Sequence, residues 1–208
     1  MIQTYSPDMK PRSFEDKKIV HQKGLWHKVF TGILFNPDTN KIFLQTIFPK
    51  NSYDFERPDF VDFSVGGHVE NNETIVQTAL RETKEELGVS ITAQQLTFLG
   101  IRICKTNPSP SYIIREFQYF FAILTTQTLD TLSLCPLDNE VKSLIEVDLG
   151  DLIALILQQT STITARERLI QSQQIAPISL TPERIIPDYF TDKSIAEKLL
   201  SLCVMNNL

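Results

Sequence analysis

The sequence predicts an α/β domain, and two observations carry that prediction. A series of runs rich in β-branched and aromatic residues reads as strands: Val29 to Phe35, Lys41 to Phe48, Val61 to Val65, Leu96 to Lys105, Tyr112 to Leu124 and Val141 to Val147. Between the third and fourth of these lies an unbroken helical stretch, Asn72 to Leu87, closed by Gly88 as a C-terminal stop. With 208 residues and 42% hydrophobic content, one domain plus an extension is expected, with enough apolar surface for a sizeable core.

Taken in order, residues 1–20 are polar, contain Pro7 and Pro11, and read as an N-terminal arm, with a short helix or strand around Glu15 to His21. Residues 21–160 carry the domain. Its first two strands form a hairpin across the turn Asn-Pro-Asp-Thr-Asn. Residues 49–62 form a loop with Lys50, Tyr53, Phe55, Arg57 and Phe60. Aromatic rings there can stack on a substrate, and Lys50 or Arg57 can hold phosphate. The third strand runs into Gly66-Gly67. After the helix, two long strands flank the turn TNPSPS, and the second of them contains Arg115 and Glu116. A charge inside such a run must meet solvent, an ion partner or a metal. The last strand follows Asn139-Glu140. Residues 161–208 are expected to be a helical C-terminal extension. DLIALILQQ precedes it and TARERLIQSQQ begins it, Pro177, Pro182 and Pro187 punctuate it, and an amphipathic helix from Asp192 to Val204 ends it.

The chemistry concentrates on the central helix. Glu82, Glu85 and Glu86 stand at i, i+3 and i+4, so their carboxylates share one face. Val76, Ala79, Leu80, Thr83 and Leu87 form the other face, which can pack on a sheet. Three adjacent carboxylates repel unless cations join them, and Arg81 alone is too little. Hard divalent cations such as Mg2+ or Mn2+ take oxygen ligands and pair with substrates that bring phosphate oxygens. The helix therefore reads as a metal-binding face for phosphate esters or anhydrides.

The full spacing from Gly67 through Glu73, Arg81-Glu82, Glu85-Glu86 and Gly88 to Val89 resembles the Nudix box, the signature of the Nudix hydrolases. Thr83 fills a slot that is aliphatic in that pattern. The resemblance implies an α/β/α sandwich with a mixed sheet. It implies that Glu82, Glu85, Glu86 and the Gly67 carbonyl hold Mg2+, and that Glu73 and Arg81 form a structural ion pair. It implies hydrolysis of a small-molecule diphosphate, a nucleotide or another organic one, by a metal-activated water. Glu85 is the first choice for ligand or base. Glu140 and Glu116 are the outside candidates, because the base position varies among Nudix families. Lys50, Phe55, Arg57 and Arg115 are the expected substrate contacts.

The three histidines add a second feature. His21 and His27 flank Gly-Leu-Trp before the first strand, and His68 follows Gly67. This arrangement is similar to the isopentenyl-diphosphate isomerase branch of the superfamily, where matching histidines and a later glutamate bind a metal. Carried over, the set is His21, His27, His68 and Glu116, suited to Mn2+ or Zn2+. The isomerases place a reactive Cys where this chain has Gly66, so an intact box without that thiol favours hydrolysis over isomerisation. A noncatalytic nucleotide-sensing domain is the alternative from another class.

Composition bounds the partners. A net charge of −5 argues against duplex nucleic acid. Cys104, Cys135 and Cys203 have neither metal nor disulfide spacing, which points to a reducing cytoplasm. No signal peptide and no long apolar run are recognised, so no membrane association is expected. The family resemblance allows a homodimer.

Overall fold

In a computed structural model that describes residues 1–47, 60–137 and 140–205, the described strands join in one mixed sheet. In chain order the elements are β1 (Ile2–Tyr5), β2 (Pro11–Glu15), α1 (Lys17–Lys23), β3 (Trp26–Asn36), β4 (Lys41–Ile47), β5 (Asp62–Phe63), β6 (Val65–His68), α2 (Ile75–Leu87), β7 (Leu96–Ser109), β8 (Tyr112–Leu124), β9 (Val141–Asp148), α3 (Leu149–Ile156), β10 (Ile163–Leu169), β11 (Ile175–Leu180), α4 (Asp188–Thr191) and α5 (Lys193–Met205). The main path runs β11-β10-β9-β4-β3-β1-β2. Strand β3 also pairs with β6, antiparallel, and with β8, parallel, while β7 pairs with β8.

Strict alternation explains why helices cover both faces. Along the central strands Ile33, Phe35, Ile42, Leu44, Phe120, Ala122, Ile145 and Val147 point to one core, which α3 and α5 close with Leu152, Leu155, Ile195 and Leu199. Their neighbours Phe30, Leu34, Phe43, Phe121, Ile123 and Leu144 point to the other, where α2 contributes Ala79 and Leu87. A strand's period of two sends successive side chains to opposite faces, so a sheet apolar on both faces needs cover on both. The result is the expected α/β/α arrangement.

Helix α2 is held at both ends by local chemistry. Thr74 caps it, its hydroxyl accepting from Gln77 N–H at 3.2 Å while Gln77 Oε1 accepts from Thr74 N–H at 2.8 Å. The helix therefore starts after Thr74 rather than at Asn72, which sits in a left-handed turn at φ 67°. Gly88 ends it at φ 73°, and a Cβ there would lie 2.2 Å from the Cys135 carbonyl oxygen. Thr83, in the aliphatic slot, is fully buried, but its hydroxyl donates to the Ala79 carbonyl at 2.7 Å, so the burial leaves no polar atom unpaired.

Two segments differ from the sequence expectation. Residues 1–20 are not an arm: β1 and β2 form a hairpin, and β1 continues the sheet beside β3 with Ile2 and Thr4 buried. The alternation there spans only a few residues, too short to stand out among polar neighbours. The segment TARERLIQSQQ, expected to be helical, holds all of β10 after Ile163, and β10 pairs with β9 and with β11. Ile163 and Ala165 alternate inward to the core against β9, so pairing with an open sheet edge decides the conformation over helix propensity. Among the described residues the extension is α-helical in α4 and α5, with one short 3-10 turn at Pro182–Arg184.

Candidate active site

Arg81 organises the acidic face of α2. Its guanidinium grips Glu73 twice, Nε to Oε1 at 2.7 Å and Nη2 to Oε2 at 2.9 Å. Nη1 donates to Glu82 at 2.8 Å and to Glu85 at 3.0 Å, and Nη2 also donates to the His68 carbonyl at 3.2 Å. The Arg81 guanidinium holds the Glu73 carboxyl below its ordinary range, with the Thr78 hydroxyl adding to the effect at 2.9 Å.

The remaining carboxylates are undercompensated. Burial pushes Glu82 up to about 7, against the attraction of Arg81, and Glu85 and Glu140 add to the rise. Burial, then the charge of Glu82, drives Glu86 well above the ordinary range. Its carboxylate accepts from the Gln45 amide at 3.1 Å and from the Gly66 N–H at 3.3 Å. A Cβ on Gly67 would lie 1.9 Å from Glu82 Oε1, so the main chain of β6 packs directly on this carboxylate. Buried carboxylates that face one another, two of them bonded to Arg81, favour a cation beside them.

A second cluster lies alongside. The register of β3 against β8 sets His27 opposite Glu116, and that of β3 against β6 sets Val29 opposite His68. His21 comes from the last turn of α1. One ligand atom from each of His21, His27, His68 and Glu116 lies within 4.8 Å of the others. His27 Nδ1 must donate to the Leu25 carbonyl at 2.9 Å, because a carbonyl only accepts. In the neutral ring, Nε2 is then a lone pair 3.5 Å from Glu116 Oε1, an arrangement of two acceptors that suits an intervening cation. Burial alone would raise Glu116, but with His27 protonated instead, its Nε2–H and charge, together with Gln118, hold the carboxyl below the ordinary value.

Both clusters open on one cleft of about 310 Å³, lined by Gly67, Glu86 and Glu140 and by His68 and Glu116. The C-terminal part of the chain supplies further lining residues, Ile186, Asp188 and Tyr189. The Tyr189 hydroxyl donates to Asp62, and its ring stacks on Phe63 at 4.8 Å.

Comparison with known proteins agrees with this geometry. The model of the NUDIX domain matches residues 25–168. The chain belongs to the Nudix family. An uncharacterized Nudix hydrolase of Clostridium acetobutylicum is 30% identical over 139 residues, which span 66% of this chain and 65% of that one. The crystal structure of DR0079 from Deinococcus radiodurans aligns with TM-score 0.50 at 18% identity, over 74% of this chain and 86% of that one, a likeness of fold. A Nudix-family hydrolase from Clostridium perfringens aligns with TM-score 0.46 at 16% identity, over 84% and 97%.

On this Nudix scaffold the candidate residues fall into groups. Arg81, Glu82, Glu85 and Glu86 lie on α2, Glu73 is gripped by Arg81 from the loop before it, and Gly67 and Glu140 join Glu86 in lining the cleft. The histidines and Glu116 are gathered separately. Arg115 is not brought to the cleft: its Nη1 donates to Thr106, Asn107 and Ile114 within the β7–β8 hairpin, which its own strand end places nearer than the site. Lys50, Phe55 and Arg57 lie outside the described residues. Sequence reading missed Gln45, Arg102, Gln118 and Tyr189. Gln45 interrupts an apolar strand, and Gln118 follows Glu116 by one strand period, so both left a signal. Arg102 and Tyr189 left none, since only the fold brings them to the cleft. Cys104 also lines the cleft, and burial pushes its thiol up to about 11.

Proposed function

We propose that this Nudix protein is a Mg2+-dependent hydrolase of the diphosphate linkage in a nucleotide or another small organic diphosphate. The observation that carries the reading is the set of carboxylates Glu82, Glu85 and Glu86 on α2, with Glu140 near enough to push Glu82 and Glu86 up and with Arg81 bonded to Glu82 and Glu85. Hard cations fit this donor set: it is all oxygen, and its buried members carry the electrostatic penalty that a cation would relieve. Glu82, Glu85, Glu86 and the Gly67 carbonyl would hold Mg2+, or Mn2+ in its place. Bound there, the cation would neutralise diphosphate oxygens and lower the pKa of a water.

The chain's own residues do the rest. The Glu73–Arg81 pair fixes the loop before α2 and keeps Glu82 and Glu85 in register. Gln45 and the Gly66 N–H aim the Glu86 carboxylate into the cleft. Glu85 is the first choice for accepting the proton of the attacking water, with Glu140 the alternative. Glu116 is engaged with Gln118 and His27, which assigns it to the histidine cluster instead.

His21, His27, His68 and Glu116 constitute a second metal site in this reading, an imidazole and carboxylate set suited to Mn2+ or Zn2+. The cluster is also the observation that favours an isomerase of isoprenoid diphosphates. Gly66 offers no thiol at the position where that branch needs one. Isotope exchange into isopentenyl diphosphate with metal present separates the two, and its absence removes the isomerase. Among the described residues no helix is long and apolar enough to cross a membrane. Cys104, Cys135 and Cys203, none of them in a disulfide, fit a reducing cytoplasm.

Product analysis on nucleoside triphosphates, dinucleotides, nucleotide sugars, coenzyme A and isopentenyl diphosphate, with Mg2+ or Mn2+, tests the assignment. Glu86→Gln is the control and should lose at least about 100-fold in kcat, the scale of one key electrostatic group. Full activity in Glu86→Gln overturns the assignment. Tight nucleotide binding without turnover under any divalent metal would point instead to a sensing domain.

A further inference from the structure

A chain of side chains runs from the C-terminal segment to the histidine cluster. Asp192 Oδ2 accepts from Arg102 Nε at 2.6 Å, Arg102 Nη1 donates to Gln118 Oε1 at 2.9 Å, and Gln118 Nε2 donates to Glu116 Oε2 at 2.7 Å. The register of the sheet dictates this order. Arg102 stands directly opposite Gln118 on β7 and β8, Glu116 is one strand period away on the same face, and His27 stands opposite Glu116 on β3. Chemistry dictates the direction of the Gln118 amide. A guanidinium only donates, so it must face the amide oxygen, and a carboxylate only accepts, so it must face the amide nitrogen.

We propose that Gln118 is a positioning residue for Glu116 at the histidine site, and that Arg102 and Asp192 lock it in that role. The inference rests on the reading of His21, His27, His68 and Glu116 as a metal site. With Oε2 held by a neutral donor, Glu116 presents Oε1 toward His27 Nε2, and the buried carboxylate cannot rotate away without breaking the bond to Gln118. Arg102 is buried, at 5% exposure, and both of its bonds described here serve this chain, so its charge is spent inside the protein rather than on a ligand. Asp192 is fixed in turn, because its Oδ1 accepts from Ser194 N–H at 3.0 Å at the start of α5. A residue beyond the matched Nudix domain thereby acts on the site. Partners that orient a metal ligand through hydrogen bonds typically change affinity by about 10- to 100-fold when removed.

Co2+ is the probe, in a Glu82→Gln/Glu86→Gln background that disables the acidic site on α2. Its dissociation constant and visible absorption bands report imidazole and carboxylate ligation, and thermal midpoints report folding. His27→Gln should abolish binding. Gln118→Met should weaken it by about 10- to 100-fold with shifted bands, and Asp192→Asn should weaken it less, in the same direction. Unchanged affinity and bands in Gln118→Met and Asp192→Asn, with binding lost in His27→Gln, overturn the positioning role and leave the metal site standing. Binding that survives His27→Gln removes the metal site and the positioning role together. Should Gln118→Met fail to fold, Asp192→Asn decides alone: wild-type affinity and bands in it overturn the lock.

Discussion

Replacing Glu82 with glutamine should stabilise the metal-free protein at pH 8 and leave its stability unchanged near pH 4. Burial raises the Glu82 carboxyl from 4.5 to about 7 in the folded chain. The native state therefore holds a proton that the unfolded state has released across that interval, and stability falls as pH rises through it. Above about pH 7 the full penalty is present, about 3 kcal/mol at 1.4 kcal/mol per pH unit. Glutamine carries no charge at any of these pH values, so the variant lacks that slope. It loses the Glu82 bond of Arg81, at 2.8 Å, but Arg81 keeps Glu73 and Glu85, so the offset is small. For a chain of this size 3 kcal/mol corresponds to about 6 to 12 °C in Tm. Thermal unfolding in EDTA from pH 4 to 8 measures the difference, and Mg2+ added at pH 8 should raise the Tm of the wild type more than that of the variant. A difference between the two proteins that is the same at pH 4.5 and pH 8, or a variant less stable at pH 8, would refute the reasoning.

The remaining predictions are local. Gly67→Ala should lower kcat by about 100-fold or more with Tm within a few degrees, since the new methyl group displaces Glu82. Gly66→Ala should stay folded and active, because its Cβ meets nothing closer than the Phe30 carbonyl at 3.4 Å; equal kcat in the two variants would contradict the packing of β6 on Glu82. Arg81→Met should destabilise the metal-free protein by about 3 kcal/mol by leaving Glu73, Glu82 and Glu85 without their shared cation, and Mg2+ should restore part of the loss; denaturant unfolding with and without the metal reads both. Gly88→Ala should cost more than about 1 kcal/mol in the same assay, from positive φ and the clash with Cys135.

Much of the acidic site was legible because it is local. The spacing of Glu82, Glu85 and Glu86 needs only helical periodicity to become a shared face, and Gly88 ends the helix through contacts a few residues long, whereas the start at Thr74 rather than Asn72 was read only from the structure. The strands with long apolar runs, β3, β4, β8 and β9, were legible for the same reason. The hairpin of residues 163–180 was not, because its conformation depends on an edge that β9 offers from elsewhere in the chain. The partners of Arg115 were not legible, because Thr106 and Asn107 reach it from the paired strand β7.

The sequence alone determined the family, the carboxylate face and the residue types of the histidine set, since each is written in short-range spacing or in composition. Only the tertiary structure decided that His21, His27, His68 and Glu116 converge, because that requires the parallel register of β3 on β8 and the antiparallel register of β6 on β3. It also decided that Arg102, Asp192 and Tyr189 belong to the cleft region. These contacts join positions 90 residues apart in the case of Arg102 and Asp192, a distance over which no local periodicity carries information.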